Sequence, residues 1–385
     1  MAYQLAHDSW DNKEIEAIHE VVRSGRYTMG TRVKTFEKEF AKFLGCAEAV
    51  MVNSESSANL LMLAVLSLKY KLKGNIIVPA VSWSTTYVPV HQYGFTLNFV
   101  DINSNTLNID VDKVESAITS ETSAIFAVNL LGNSCKFKEL KKIAGKYDLM
   151  LIKDNCESFG AISDTGEYTG TIGCMGSFSF FFSHHLQTME GGMIACRNNE
   201  DAQFLRSLRA HGWVRDLPEK NTVYNKTGIP FKDHFLFVIP GYCVRPLEMS
   251  GAIGSAQLRK WPLMKAQRLK NAEYFTSTFE DFNGIRIQKE IGTSSWFGFS
   301  MVFTGKLTGK RDVIVRKFAE SDIECRPIVA GNFMRNPAME YLNYIDNQDY
   351  DVADYIHENG LFIGNDSRSL QKNLDMVYTV LTHFG

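Results

Sequence analysis

The chain has 385 residues, of which 45% are apolar and 22% are charged, and this predicts a globular protein with cores large enough for an enzyme. Its 41 basic and 43 acidic residues give a net charge of −2, so no overall field favours nucleic acid or an anionic membrane as a partner. The first residues lack the pattern of a secretory signal and no run approaches ~18 apolar residues, so we expect a cytoplasmic location. The seven cysteines form no Cys-x-x-Cys pair, which argues against a disulfide framework or a local zinc site.

Two amphipathic helical patterns open the chain, and short apolar runs then alternate with helical segments. The runs are AEAVMVN, NIIVPA, LNFVD, SAIFAVN, LMLIKD, GSFSFFF and GMIACR. Nearly continuous apolar runs of this length predict strands that helices cover on both faces. The pattern predicts a large α/β domain over residues 1–258, and the changed texture beyond it predicts a smaller α+β domain over residues 259–385.

Polar residues follow several of the predicted strands, namely Asn53, Asp101, Asn129, Asp154 and Ser183. Ligands of open α/β sheets bind beyond the carboxyl ends of the strands, so these positions are candidates for a site. Asp154 ends a very apolar strand, where a carboxylate needs a partner such as a protonated ring nitrogen. An aspartate that caps the next turn explains the same position equally well.

Two other stretches fit a planar, phosphorylated ligand. In MVNSESSANLLML a strand leads through small hydroxyl residues into a helix, whose free N–H groups and dipole favour an anion. A serine that only caps the helix is the alternative. In PAVSWSTT, Trp83 follows a strand, where an indole can cover a planar ring, although packing in the core also accounts for a single tryptophan.

The segment FSFFFSHHLQTMEGGM places His184 and His185 where an apolar strand breaks into a polar, glycine-containing loop. A buried strand that delivers imidazoles to a turn indicates a site that needs a base.

In this order, these features resemble the pyridoxal-phosphate-dependent enzymes of fold type I, and among them the sugar aminotransferase family that acts on nucleotide-linked 4-keto sugars. Further matching stretches are TMGTRVKTFEKEFAKFLG, VNLLGN, RAHGW, PGYCVRPLEMSGAIG and IECRPI, so the resemblance covers essentially the whole chain. It implies an aspartate aminotransferase-like large domain with a mixed, mostly parallel sheet. It also implies pyridoxal 5'-phosphate and pyridoxamine 5'-phosphate as cofactor, no metal, and a homodimer with shared active sites.

One position departs from the aminotransferases of this family in a way that changes the expected reaction. The lysine that binds their cofactor covalently lies six residues before the Glu of Glu-Gly-Gly, and here that position is His184. An imidazole cannot hold the cofactor as a stable Schiff base, but it can accept a proton near pH 7. Histidine here resembles the 3-dehydratases of the family, and the absence of Cys-x-Cys favours their metal-free type.

The resemblance therefore implies removal of the C3 hydroxyl of GDP-4-keto-6-deoxy-D-mannose, with L-glutamate as the amino donor, in dideoxysugar biosynthesis of the colitose type. Two alternatives stay open. In the first, the chain is a 3-dehydratase that acts on another nucleotide-linked 4-keto sugar. In the second, it is a non-catalytic paralogue that binds a sugar nucleotide or the cofactor.

The resemblance also assigns a role to individual residues. His184 is the base, with His185 a structural neighbour, and Asp154 keeps the ring nitrogen protonated. The remaining implied contacts are with the cofactor ring (Trp83, Glu157), with its phosphate (Ser56, Ser57, Ser179), and with the nucleotide sugar or glutamate (His211, Arg245, Arg326). A packing histidine and surface arginines are the alternatives for the last three residues.

Three residues are unusual for the family. Glu55 occupies a place for glycine or another small residue at the phosphate-binding turn, and we expect its carboxylate to point to solvent, away from the phosphate. Cys243 replaces an asparagine that reaches the phosphate of the neighbouring subunit, which predicts a weaker contact. Strand alternation predicts that Lys153, beside Asp154, points away from the ring.

Overall fold

The computed structural model describes residues 2–346 and 348–384. Two helices begin the chain, α1 (Asn12–Ser24) and α2 (Thr31–Leu44). Asp11 caps α1, because its carboxylate accepts from the Lys13 N–H while Glu14 accepts from the Asp11 N–H. Both helices pack on the long helix α9 (Glu248–Phe279), and Phe36, Phe40 and Trp261 are buried in that region with aromatic residues of the large sheet.

The large sheet confirms the predicted mixed, mostly parallel arrangement. It has eight strands, which are β1 (Glu48–Val52), β2 (Asn75–Pro79), β3 (Thr96–Val100), β4 (Thr122–Val128), β5 (Met150–Asp154), β6 (Met175–Ser179), β7 (Gly192–Cys196) and β11 (Tyr344–Ile345). Their order is β1-β7-β6-β5-β4-β2-β3-β11. Strand β7 is antiparallel to both of its neighbours, and the other pairs are parallel.

Helices cover both faces of this sheet. They are α3 (Glu55–Ala64), α4 (Ser84–Gln92), α5 (Val111–Ala117), α6 (Phe137–Lys146) and α7 (Asn199–Leu208), followed by the short α8 (Pro230–Asp233). Along β4, Ala124 and Phe126 pack in one core with residues of α3 and α7, whereas Ile125 and Ala127 pack in another with residues of α5 and α6. Successive side chains of a strand point to opposite faces, so a continuous apolar run fills two cores.

A second sheet lies in the C-terminal part, where the sequence predicts an α+β arrangement, and its strands are antiparallel. Its strands are β8 (Ile285–Ile287), β9 (Gly298–Phe303), β10 (Cys325–Arg326) and β12 (Gly360–Gly364), in the order β10-β12-β9-β8. The helices α10 (Arg311–Glu320), α11 (Asp351–Asn359) and α12 (Gln371–Thr382) accompany it. Its core includes Phe275 stacked on Phe299, with ring centroids 4.4 Å apart.

The predicted division between residues 1–258 and 259–385 falls inside α9, which is continuous from Glu248 to Phe279. Strand β11 also returns from the C-terminal part of the chain to the edge of the large sheet. The two-domain boundary remains a prediction.

Two further findings concern the whole described chain. Within residues 2–346 and 348–384, no helix combines the length and apolar character that crossing a membrane requires. All seven cysteines, each of which lies in that part of the chain, are free thiols.

Candidate active site

A cavity of about 300 Å³ opens at the carboxyl ends of the parallel strands, where the sequence predicts a site. Seven of the predicted site residues line it, namely Ser56, Trp83, Asp154, Glu157, Ser179, His184 and Arg326. The other three predicted residues, Ser57, His211 and Arg245, do not. A cavity of this volume lies at the lower end of the range for small-molecule sites.

Asp154 ends β5 and is held by hydrogen bonds from three sides. Its Oδ2 accepts from Thr86 Oγ1 at 2.8 Å and from Asn59 Nδ2 at 3.0 Å, and its Oδ1 accepts from the Cys156 N–H at 3.2 Å. The side chain is buried, yet it lines the cavity. A buried carboxylate with a fixed orientation suits a cationic ring nitrogen as its partner.

The start of helix α3 forms the neighbouring wall. Ser54 caps the helix by accepting from the Ser57 N–H at 3.2 Å, and Ser54 and Ser56 line the cavity. Strand β7 comes close at this point because Gly192 has no side chain, since a Cβ there would lie 2.3 Å from the Ser54 carbonyl oxygen. Trp83 is 55% exposed and leaves much of its indole free at the edge of the cavity.

The structure separates the two adjacent histidines. His184 lines the cavity, its ring lies 5.1 Å from that of Phe297, and its Nδ1 is 3.5 Å from Ser183 Oγ. His185 is buried in the core, where its Nε2 donates to the Ser295 carbonyl at 3.2 Å and its ring meets Trp261 edge-on. Only His184 can reach a ligand in the cavity.

The two titratable groups His184 and Glu157 both favour their neutral forms in this cavity. Burial, with the Arg268 guanidinium as a second cause, lowers the pKa of His184 from 6.5 to about 3. The imidazole is therefore uncharged at pH 7, although the same desolvation makes it a weaker base than a free imidazole. Burial also raises the pKa of Glu157 to about 7, although a hydrogen bond of 2.7 Å from the Leu131 N–H opposes the shift.

The expectation that Glu55 points to solvent is wrong. Its side chain turns into the cavity, where one oxygen accepts from Thr85 Oγ1 at 3.0 Å and the other accepts from Asn59 Nδ2. Burial and the nearby charge of Asp154 raise the pKa of Glu55 to about 8. These donors belong to α3 and α4, so they give the carboxyl group partners that a helix start alone does not offer.

His211 and Arg245 lie together outside the cavity. The His211 ring is 4.7 Å from the Trp213 ring, and the Arg245 guanidinium is 5.8 Å from the same indole and 3.4 Å from Cys243 Sγ. The segment that carries Cys243 and Arg245 nevertheless runs beside the end of β1, because the Asn53 N–H donates to the Val244 carbonyl at 3.0 Å. Their roles remain predictions.

Sequence reasoning missed three residues that shape the site. Asn59 and Thr86 donate hydrogen bonds to Asp154. Asn59 lies four residues after Glu55 and Thr86 three residues after Trp83, and this proximity to predicted site residues could have indicated them. Arg268 lies in the middle of α9, donates to the Trp296 carbonyl at 3.2 Å, and influences His184 through its charge. Nothing local in the sequence indicates that role.

The fold is that of the pyridoxal-phosphate-dependent sugar aminotransferases of fold type I. The chain belongs to the DegT/DnrJ/EryC1/StrS aminotransferase family, whose model matches residues 8–382.

Within the family, this chain is similar to GDP-4-keto-6-deoxy-D-mannose 3-dehydratase. It is 49% identical over 385 residues to the Escherichia coli O55:H7 protein of that name, covering 98% of this chain and 99% of the relative. It is 47% identical over 385 residues to the Yersinia pseudotuberculosis protein, covering 98% of each. A solved structure of GDP-4-keto-6-deoxymannose-3-dehydratase with a trapped PLP-glutamate geminal diamine has a TM-score of 0.95 and 48% identity, covering 98% of this chain and 100% of that one.

Proposed function

We propose that the chain is a pyridoxal-phosphate-dependent 3-dehydratase that acts on GDP-4-keto-6-deoxy-D-mannose, on a route to dideoxysugars of the colitose type. The observation that carries the proposal is the position of His184. This histidine replaces the lysine of the family's aminotransferases, and it lines the same cavity as Asp154. In the overall reaction the sugar loses its C3 hydroxyl, and L-glutamate, the reductant, becomes 2-oxoglutarate and ammonia. The atoms balance: the C3 oxygen of the sugar leaves as water, the keto oxygen of 2-oxoglutarate comes from water, and no net water is consumed.

The residues of the cavity fit the cofactor. Asp154 is a buried carboxylate for the ring nitrogen, Trp83 offers an indole face to the ring, and Ser56 and Ser179 offer hydroxyl groups to a phosphate near the start of α3. Ser57 instead lies against Ser54, which accepts from its backbone N–H and contacts its hydroxyl, so neither group of Ser57 faces the phosphate in this structure. When bound, the cofactor supplies an amine for the keto carbon of the sugar and a ring that accepts electrons.

The chain's own contribution to the chemistry is a proton acceptor and, afterwards, a proton donor. Neutral His184 takes up a proton, and its imidazolium returns one to the departing hydroxyl, since hydroxide leaves poorly without a general acid. Ser183 Oγ lies 3.5 Å from Nδ1, so we assign the proton transfer to Nε2. No lysine amine lines the cavity in the described part of the chain to carry a proton to the sugar's C4, so elimination is favoured over amination.

Arg326 is the candidate for the anionic part of the substrates. It lines the cavity and is exposed, so its guanidinium can face the diphosphate of the nucleotide or the carboxylate of glutamate.

The test is incubation of purified protein with pyridoxal phosphate, L-glutamate and GDP-4-keto-6-deoxy-D-mannose, with ammonia, 2-oxoglutarate and the mass of the sugar nucleotide followed together. We expect loss of one oxygen from the sugar and release of ammonia. An amino sugar would mean an aminotransferase that works without lysine, and no change would favour the non-catalytic paralogue. The CDP- and dTDP-linked 4-keto sugars, assayed in parallel, test the choice of nucleotide.

The assigned base is tested by the variant His184→Asn. Removal of a general acid–base group typically costs ~10² to 10⁴ in rate, and we expect a loss of that size in dehydration with cofactor binding retained. His185→Asn is the matched control, because His185 lies in the core; we expect it to lower stability and to leave turnover per folded molecule nearly unchanged. Unchanged dehydration in His184→Asn would contradict the assignment.

We also propose that the chain forms a homodimer in which the second copy helps to complete the cavity. Large apolar side chains are exposed along residues 224–247 and at Tyr27, including Phe231 at 83% and Leu247 at 56%. Tyr27 adjoins Leu247, since the Glu248 N–H donates to the Tyr27 carbonyl at 3.0 Å. Clustered exposure of this kind marks an interface. As part of this proposal we assign His211 and Arg245, which lie on or beside this exposed stretch, to the substrate site of the partner's cavity. We also propose a cytoplasmic location.

A further inference from the structure

Two carboxyl groups, those of Glu55 and Asp154, lie close together at one end of the cavity. One oxygen of Glu55, one of Asp154 and the Cys156 sulfur lie within 4.8 Å of one another. Like charges at this separation, partly removed from water, favour retention of a proton by one of the groups. The reaction proposed above gives no role to this second carboxyl group.

The hydrogen bonds around Asn59 also indicate a missing proton. Asn59 Nδ2 carries two hydrogens, yet it lies within hydrogen-bond distance of three acceptors, which are Glu55 Oε1, the Thr85 carbonyl at 3.1 Å and Asp154 Oδ2 at 3.0 Å. Thr85 and Thr86 each supply one further hydrogen, to Glu55 and to Asp154 respectively. The Cys156 thiol also faces Glu55 but is only a weak donor, so a proton on one of the carboxyl groups supplies the further strong donor that these oxygens can use.

We propose that Glu55 and Asp154 share one proton, so that Glu55 is a positioning residue that keeps a single negative charge at the Asp154 end of the cavity. The pair then presents one charge to one cationic ring nitrogen. It also avoids a second charge beside the start of α3, where the phosphate of the ligand is expected. The identity of the ligand rests on the proposed function, whereas the shared proton does not.

The electrostatic surroundings of Glu55 agree with this arrangement. The groups that face it are Asp154, Cys156 and Glu157, and none of them is a cation. Its contact on α4 is the uncharged Thr85. Glu190, His184 and Arg326 also line the cavity, but their charges are not among the causes of the Glu55 shift. Burial and the Asp154 charge raise the pKa of Glu55 to about 8, which sets the pH at which the shared proton is lost.

The first experiment uses the ligand-free protein and does not depend on the proposed function. Infrared difference spectra of wild type minus Glu55→Gln are recorded from pH 6 to pH 9. We expect the carbonyl stretch of a protonated carboxylic acid at pH 6, with loss of that band near pH 8. Absence of the band at pH 6 would overturn the shared proton.

The second experiment measures the binding of pyridoxamine 5'-phosphate by titration calorimetry. We compare the dissociation constant of the wild type with that of Glu55→Gln. Their ratio should stay near one below pH 8 and rise towards about tenfold by pH 9. The reason is that ionised Glu55 repels the phosphate of the ligand, whereas glutamine cannot ionise. The control Glu340→Gln removes an exposed carboxylate outside the cavity and should match the wild type. A ratio that is constant or falls with pH would overturn the inference.

Glu55→Gly provides the same comparison if glutamine at this position prevents folding, since it leaves no side chain to clash or titrate. Failure of the wild type to bind pyridoxamine 5'-phosphate at any pH would count against the proposed function, while the infrared band would still decide the shared proton.

Discussion

Lys153 is expected to destabilise the protein, and its replacement by methionine should raise the free energy of unfolding. The side chain is fully buried in β5, its Nζ has no hydrogen-bond partner in the described structure, and its Cε lies over Gly176, where a Cβ would come within 3.1 Å. Burial lowers the pKa of Lys153 from 10.5 to about 8. Methionine keeps the unbranched shape and removes the charge.

The magnitude follows from this shift. A pKa difference of one unit corresponds to about 1.4 kcal/mol, so a folded pKa near 8 costs about 3 kcal/mol at pH 7 relative to an unfolded chain with a normal lysine. Between pH 8 and pH 10.5 the unfolded state binds more protons than the folded state, so the stability of the wild type should rise with pH across this window. The Lys153→Met protein should gain about 3 kcal/mol at pH 7 and lose this rise.

Urea unfolding of the cofactor-free protein at pH 7 and pH 10, at one protein concentration, measures both effects. Thermal unfolding gives a second measure. At about 2.1 cal/mol/K per residue, a chain of 385 residues has an unfolding entropy of about 0.8 kcal/mol/K, so the melting temperature of Lys153→Met should exceed that of the wild type by roughly 4 °C. Lys38→Met, at an exposed position of α2, is the control and should change stability by less than about 0.5 kcal/mol. An unchanged stability at pH 7, or a rise with pH that persists in the variant, would refute the reasoning.

Two further predictions concern stability and the shape of the cavity. Arg209 Nη1 donates to Glu37 and to the Met51 carbonyl, each at 2.5 Å, and both side chains are buried, so Arg209→Leu should cost about 3 to 5 kcal/mol in urea unfolding. The double variant with Glu37→Leu should recover most of that loss, and a double variant no more stable than the single one would contradict this account. Gly192→Ala would place a Cβ 2.3 Å from the Ser54 carbonyl oxygen, so we expect at least tenfold weaker binding of pyridoxal phosphate by calorimetry, whereas Gly145→Ala, where no atom lies within 4 Å, should bind normally.

The sequence predicts those site residues that lie at the ends of strands, because a polar residue after a continuous apolar run marks where a buried strand ends. Asp154 ends β5 as expected, whereas β6 ends at Ser179 and not just before Ser183, as the run GSFSFFF predicts; all three residues line the cavity. The long helix α9 was harder to predict, since Pro262 lies inside it and the helical pattern is clear only from about Lys270. The short strand β11 was not predicted, because two residues are too few to show a periodic pattern. It pairs with β3, which lies more than 200 residues earlier in the chain.

The residues that the sequence does not place are those whose environment comes from distant elements. Glu55 has its partners on α3 and α4 and beside β5, and only the folded chain brings them within hydrogen-bond distance. His184 and His185 are neighbours in one loop, so no periodic pattern distinguishes them; the spacing to Glu190 favours His184 by resemblance, and the packing of His185 on Trp261 gives the physical reason.

The charges of the cavity follow from one physical condition, which is the partial exclusion of water. Exclusion lowers the pKa of His184 to about 3 and raises those of Glu157 and Glu55 to about 7 and about 8, so each group shifts towards its uncharged form. Asp154 accepts hydrogen bonds from Thr86, Asn59 and the Cys156 N–H, and such donors favour a carboxylate. A site that keeps one carboxylate by hydrogen bonding, and leaves its imidazole neutral, can pair with a cationic ring nitrogen and still provide a base. A lysine in place of His184 would instead add a cation that the same exclusion of water disfavours.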